Sequence, residues 1–246
     1  MRLEDWQSRL RNARYYLRVL KELFFPRHCV ICGNHIDFGL LCDTCRRAFL
    51  LQRTLSFAPR EEFLAGQAEA LPEDVLSSVF LLYKYEGVLK TTLLRAKFEA
   101  ESDALPLLRE EAEAALPQAK LRWLAQYDLI TCVPTTAERR RQRGFDLPQE
   151  LFAQLLEQDG EFRSDVLTRV RATAPLYELA PRERREELMG CFAVNPRLRL
   201  RGKRVLLCDD IYTSGSTMCE AARALLAAGA QAVDGLAFMA VESHWR

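Results

Sequence analysis

Apolar residues return along the chain in two rhythms. In residues 3–25 they fall at Leu3, Trp6, Leu10, Leu17, Leu20 and Phe24. Intervals of three, four and seven draw one stripe down an α-helix, and Pro26 ends it. Val79–Tyr83 is an unbroken apolar run and predicts a short buried strand. Residues 88–98 and 104–116 predict helices. Asp128–Val133 predicts a second strand, closed by Pro134. Residues 147–158 predict a helix stopped near Gly160. Further on, Val205–Cys208 predicts a strand, residues 216–228 a helix closed by Gly229, and Ala232–Val241 a last strand. Strands alternating with helices predict an α/β fold, a parallel sheet flanked by helices.

Residues 54–75 break both rhythms. They hold Pro59, Gly66 and Pro72 with mixed charge, and read as a linker. The expected order is therefore an amphipathic N-terminal helix over 1–25, a cysteine module over 26–53, a linker over 54–76 and an α/β domain over 77–246. The apolar face of the first helix is expected to dock on protein rather than on a membrane surface.

Composition adds bounds. The 246 residues are 49% hydrophobic and 28% charged, an ordinary globular balance. No apolar run approaches a bilayer span, so the chain is not expected to be an integral membrane protein. Six basic residues within the first 25 interrupt any signal-peptide core, and the expected location is the cytoplasm. Net charge is +1 overall but uneven: +6 over residues 1–60, −6 over 61–120 and +1 over 121–246. That excludes a basic footprint across the whole protein and leaves a local one around the cysteines.

Eight cysteines are present, four of them in two tight pairs: Cys29-x-x-Cys32 and Cys42-x-x-Cys45. Each pair brings two thiolates to one ion, and four complete a closed tetrahedral zinc site that stabilises a segment too small for its own core. A dithiol switch uses one pair, not two. Such a site has no open position for catalysis. Arg27, Arg46 and Arg47 flank it and suit single-stranded DNA or RNA, an acidic protein surface, or simply a solvated basic face. Cys132, Cys191, Cys208 and Cys219 are scattered among apolar residues, as buried small hydrophobes are.

The most informative stretch runs Val205-Leu206-Leu207-Cys208-Asp209-Asp210-Ile211-Tyr212-Thr213-Ser214-Gly215-Ser216-Thr217. An apolar strand delivers two carboxylates to its C-terminal end, where ligands meet a parallel sheet. The loop Thr213, Ser214, Gly215, Ser216, Thr217 offers hydroxyls, amides and a helix start to one phosphate. Carboxylates only accept hydrogen bonds, so Asp209 and Asp210 suit the attached sugar hydroxyls or a Mg²⁺ on them. The competing reading is an Asp turn with a Thr217…Glu220 capping box.

This stretch resembles the signature of type I phosphoribosyltransferases, and with the cysteine pairs the chain resembles the ComF family (competence protein F, GntX-like). Tyr83…Tyr85-x-Gly87…Lys97, Val133-Pro134…Arg139…Arg143-Gly144-Phe145, Arg169-x-Arg171-x-Thr173 and Arg184…Phe192 are similar to further family segments. Asp146-Leu147 stands where the family tends to have Asn-Gln, Leu176 in place of a Gln and Glu187 in place of an Asn. The resemblance implies a type I phosphoribosyltransferase-like sheet behind a four-cysteine zinc module. It also implies phosphoribosyl diphosphate with Mg²⁺ as ligand, and a setting of DNA uptake during natural transformation. The 5-phosphate would sit on Thr213–Thr217, the ribose hydroxyls on Asp209 and Asp210, and the diphosphate against Arg139 and Arg143 of the loop after Pro134, with Lys97 a further cation. Residues 171–190 would form a mobile cover. Activity stays open between phosphoribosyl transfer to an unknown acceptor and a non-catalytic sensor or module binding single-stranded DNA or a partner protein of the uptake machinery.

Overall fold

The computed structural model describes residues 27–59, 75–98, 104–116, 123–156, 161–171 and 181–241. The helix expected over 1–25 lies outside them. The chain divides into two compact units between Leu50 and Leu51.

The first unit is built around a knuckle. His28 and His35 form an antiparallel bridge. Cys29 N–H donates to the Asn34 carbonyl at 2.7 Å, and Gly33 N–H to the Cys29 carbonyl at 2.9 Å. Gly33 has φ 72°, which a side chain would resist. Helix α1 (Asp43–Gln52) starts directly after Cys42.

The second unit carries the sheet. Its strands are β1 (Arg53–Pro59), β2 (Ser78–Lys84), β3 (Leu129–Cys132), β6 (Arg204–Tyr212) and β7 (Ala232–Ala240), in spatial order β1-β2-β7-β6-β3. The pairs β2–β7, β7–β6 and β6–β3 are parallel, and β1 joins β2 antiparallel at one edge. A separate ribbon pairs β4 (Leu167–Arg169) with β5 (Phe192–Val194). The helices are α2 (Gly87–Phe98), α3 (Ala104–Ala115), α4 (Ala137–Arg143), α5 (Leu147–Leu156), α6 (Pro181–Leu188) and α7 (Ser216–Ala227).

Strands buried on both faces are apolar without alternation, as in Val205–Cys208. Alternate residues still face opposite sides. Val79, Leu81, Val205, Leu207, Val233 and Ala237 pack with Met218, Ala221, Ala222 and Leu225 of α7. Leu206, Cys208, Ile130 and Cys132 point the other way, where α5 lies on β3 and β6. Each fully buried Val or Leu contributes about 1.5–3 kcal/mol. Gly235 of β7 admits α7 closely, since a Cβ there would lie 2.4 Å from Met218 Sδ.

Among the described residues the expected strands and helices are present, and three segments differ. Arg53–Pro59, expected to open a linker, is the edge strand β1. An edge strand needs backbone pairing on one side only and tolerates a terminal Pro, so it leaves little pattern to read. The arginine segment, expected as a loop, is the helix α4. Thr136 caps it by accepting from Arg139 N–H, and Gly144 closes it at φ 82°. Within 171–190, described at 171 and 181–190, residues 181–188 form the helix α6.

Candidate functional site

Strand β6 runs past Asp210 to Tyr212, and the hydroxyl loop follows at once into α7. Gly215, at φ 72°, precedes α7 without a side-chain cap bond. A Cβ on it would lie 2.2 Å from the Tyr212 hydroxyl, so the turn requires glycine on two grounds. Ser214 and Ser216 hydroxyls meet at 2.9 Å. Glu220 is not the partner of a capping box. Its carboxylate accepts from Gly190 N–H at 2.8 Å and pairs with Arg223.

The two carboxylates have different surroundings, as neighbours on one strand must. Asp209 is buried and accepts Asp210 N–H at 2.8 Å. Burial first, then the charge of Asp210, holds its carboxyl well above the usual range, with Lys97 opposing. Asp210 pairs with Lys97 across 2.8 Å, the two side chains being 14% and 15% exposed. Lys97, expected as a cation for diphosphate, is thus engaged by a carboxylate far along the chain. Sequence offered no sign of that pairing.

Arg139 and Arg143 lie four residues apart on α4, hence on one face of it. Arg143 is half-buried; burial lowers its pKa and Asp210 works against this. Its guanidinium stands over the Phe98 ring, 5.6 Å from the centroid.

Three residues given no role from sequence border this cluster. Asp146 is 7% exposed; its Oδ2 accepts Thr135 N–H at 2.9 Å, which ties together the two ends of the α4 segment. Burial raises its carboxyl, opposed by that hydrogen bond and by Arg140, and Asp210 raises it further. Arg169 of β4 is lowered by burial and feels both Arg139 and Asp209. Tyr85 is raised by burial and then by Asp210. Asp146 could have been suspected as a departure from the Asn of the family segment. Arg169 and Tyr85 sit in segments already singled out, and folding alone brings them beside the carboxylates.

In the first unit the four paired cysteines converge. Their sulfurs all lie within 4.8 Å of one another. Cys32 Sγ and Cys42 Sγ are 3.7 Å apart, against about 3.8 Å for the edge of a tetrahedron with zinc–sulfur bonds of about 2.3 Å. Cys45 N–H points at Cys42 Sγ at 3.5 Å, as amides do toward thiolates. Burial pushes the Cys29 thiol up, but amides of Cys32, Cys42 and Ile31 more than offset it, to about 6, whereas burial and then the neighbouring sulfurs hold Cys45 well above its usual range. The donor set therefore fits zinc. Among the described residues no comparable carboxylate cage fits Mg²⁺, and no helix is long and apolar enough to cross a membrane.

Comparison with known proteins agrees with the fold of the second unit. The family model described as "Phosphoribosyl transferase domain" matches residues 143–245. The chain is 30% identical over 224 residues to the DNA utilization protein YhgH of Salmonella typhi, covering 86% of this chain and 96% of that one. It is 28% identical over 221 residues to YhgH of Escherichia coli K12, with the same coverage. To competence protein ComFC of Bacillus subtilis strain 168 it is 24% identical over 207 residues, covering 82% of this chain and 72% of that one.

Proposed function

Because this chain belongs to the ComF family, we propose that its second unit binds phosphoribosyl diphosphate, or a related sugar phosphate, and transfers the phosphoribosyl group to an acceptor. The observation that carries the reading is the junction of β6 and α7: two carboxylates, then a glycine-dependent turn of hydroxyls at a helix start. The 5-phosphate would take Thr213, Ser214, Gly215, Ser216 and Thr217. Asp209 and Asp210 would accept from the ribose hydroxyls. Binding would draw Asp210 into a shared arrangement with Lys97, which neutralises it in the free protein. Arg143, with Arg139 on the same helical face, would meet the diphosphate. The chemistry breaks the bond from sugar C1 to diphosphate oxygen, and the bond electrons leave with the diphosphate. Cations in place before that charge develops favour the transition state over the ground state. Mg²⁺ would arrive on the ligand and neutralise diphosphate charge.

In the first unit Cys29, Cys32, Cys42 and Cys45 would hold one structural zinc. A thiolate site of that kind belongs in a reducing compartment, which fits the cytoplasm. The units would divide the work, with chemistry in the second and partner recognition in the first.

A second reading is favoured by a specific observation. Arg46 and Arg47 are exposed on α1 and Phe38 is exposed nearby in sequence, a combination of cations and open aromatic suited to single strands. The relatives' names point to DNA utilization and competence. In this reading the sugar-phosphate site senses or grips a ligand without turning it over.

Calorimetric titration with phosphoribosyl diphosphate and Mg²⁺, followed by assay of released diphosphate with a panel of bases, separates the two. Binding with release supports transfer, and binding without release supports the sensor. Absence of binding removes both.

A further inference from the structure

Helix α4 carries Arg139 and Arg143, yet none of its residues is buried. A helix in a folded domain is usually held by an apolar face packed on its neighbours, and α4 offers no such face. Its orientation has to come from its two ends. One end follows the buried Val133 and the other runs into the buried Leu147 and Leu151 of α5. A side-chain hydrogen bond closes the gap between them: Asp146 Oδ2 accepts Thr135 N–H at 2.9 Å. Thr135 directly precedes the Thr136 cap, and Asp146 lies two residues past the closing Gly144. The Asp146 carbonyl also accepts Glu150 N–H at 2.9 Å, in the first turn of α5. One residue thus joins the entry of α4, its exit and the start of the next helix. The stack of Arg143 on Phe98 is a weaker tether, because that ring is itself 75% exposed. Asp146 is 7% exposed, and its Oδ1 is buried with no hydrogen-bond partner. An open acceptor in that setting is costly, so a carboxyl kept there indicates that the other oxygen is needed. Arg140 and Arg143 of α4 and Asp210 of β6 lie within its electrostatic reach.

We infer that Asp146 is a positioning residue: by its bond to Thr135 N–H it sets the orientation of α4, and so places Arg139 and Arg143 for the diphosphate without meeting the ligand itself. The inference rests on the reading of these arginines as the diphosphate cations and names what orients them. It has two competitors. In one, Asp146 acts by its charge on Arg143. In the other, it supports the whole fold without reference to α4.

Two probes separate these, phosphoribosyl diphosphate with Mg²⁺ and ribose 5-phosphate, titrated into the full chain. Both carry the 5-phosphate and ribose hydroxyls, and the first adds the diphosphate. Misplaced cations predict that Asp146→Ala weakens phosphoribosyl diphosphate roughly ten- to a hundredfold while leaving ribose 5-phosphate within about twofold. Asp146→Asn keeps an acceptor for Thr135 N–H and drops the charge, so it should stay within about threefold of wild type for both probes. Asp146→Ala and Arg143→Ala together should cost less than the two separate losses combined, since one residue acts through the other. An asparagine variant as weak as the alanine variant would overturn the clasp in favour of charge. Equal loss of both probes in Asp146→Ala, loss of the fold included, would overturn it in favour of general support, as would additive losses in the double variant. A wild type that binds the two probes equally removes the diphosphate role of the arginines and this inference with it, and leaves the sugar-phosphate site standing. A wild type that binds neither sinks that site as well.

Discussion

The cysteine module and the carboxylate edge of the sheet bring polar side chains together in opposite ways. In the module the four sulfurs gather within 4.8 Å, and beside them only Val30, Ile36, Leu41 and Phe49 are buried apolar side chains among the described residues. At the sheet edge, apolar layers on both sides of β6 and β7 hold the scaffold, and Asp209 and Asp210 sit near the C-terminal end of β6. Site and scaffold coincide in the first and are separate in the second. Changes to site residues should therefore unfold the one and spare the other.

The largest effect expected is in the module. Structural zinc supplies on the order of 10 kcal/mol to small thiolate domains. Cys45→Ser, or a strong chelator, should open residues 27–50 to protease while the melting of the second unit is retained. Metal analysis of the wild type should find one zinc per chain. A protected module in the metal-free chain would show that the cysteines are not its scaffold.

Gly215→Ala probes the point where the separation at the sheet edge ends, because the turn proposed for phosphate is itself under backbone constraint. A side chain at φ 72° facing the Tyr212 hydroxyl should cost about 2–3 kcal/mol in denaturant unfolding and abolish ligand binding together. Unchanged stability would mean the turn can relax.

Asp210→Asn is the cleanest test of separation. Losing a charged acceptor should weaken phosphoribosyl diphosphate binding roughly ten- to a hundredfold, with the melting temperature nearly unmoved. A large stability loss instead would make the pair with Lys97 structural.

The smallest effect concerns Asp209, and its sign is opposite. Burial and Asp210 raise its folded-state pKa, so the folded chain keeps that proton to higher pH than the unfolded chain. The resulting stabilisation is complete below about pH 4 and is lost as pH rises through the raised value. Asp209→Asn cannot ionise, so its melting temperature should gain on the wild type with rising pH, by about 2–4 °C for each kcal/mol recovered. A difference flat from about pH 4 to 8 would contradict a buried carboxyl that resists ionisation.

Local signals were legible along the chain. Two cysteine pairs, four apolar runs and the carboxylate–hydroxyl stretch are each written in consecutive residues, and each of these has its counterpart in the structure. Strand β1 was not legible, because an edge strand is specified by its neighbour's free backbone. Helix α4 was missed because seven mostly charged residues carry no apolar stripe; its evidence is the Thr136 and Gly144 caps.

What the sequence determined by itself is the chemistry on offer: four cysteines in two pairs, two carboxylates after an apolar run, hydroxyls around a glycine, and arginines four apart. Only the tertiary structure decided which of these groups meet. Lys97 finds Asp210, Arg143 covers one part of Phe98, Asp146 clasps Thr135, and Arg169 enters the field of Asp209. Residue types and short spacings specify what a group can do. Its partners depend on how distant strands and helices pack, and electrostatics and stacking act only across those few ångströms.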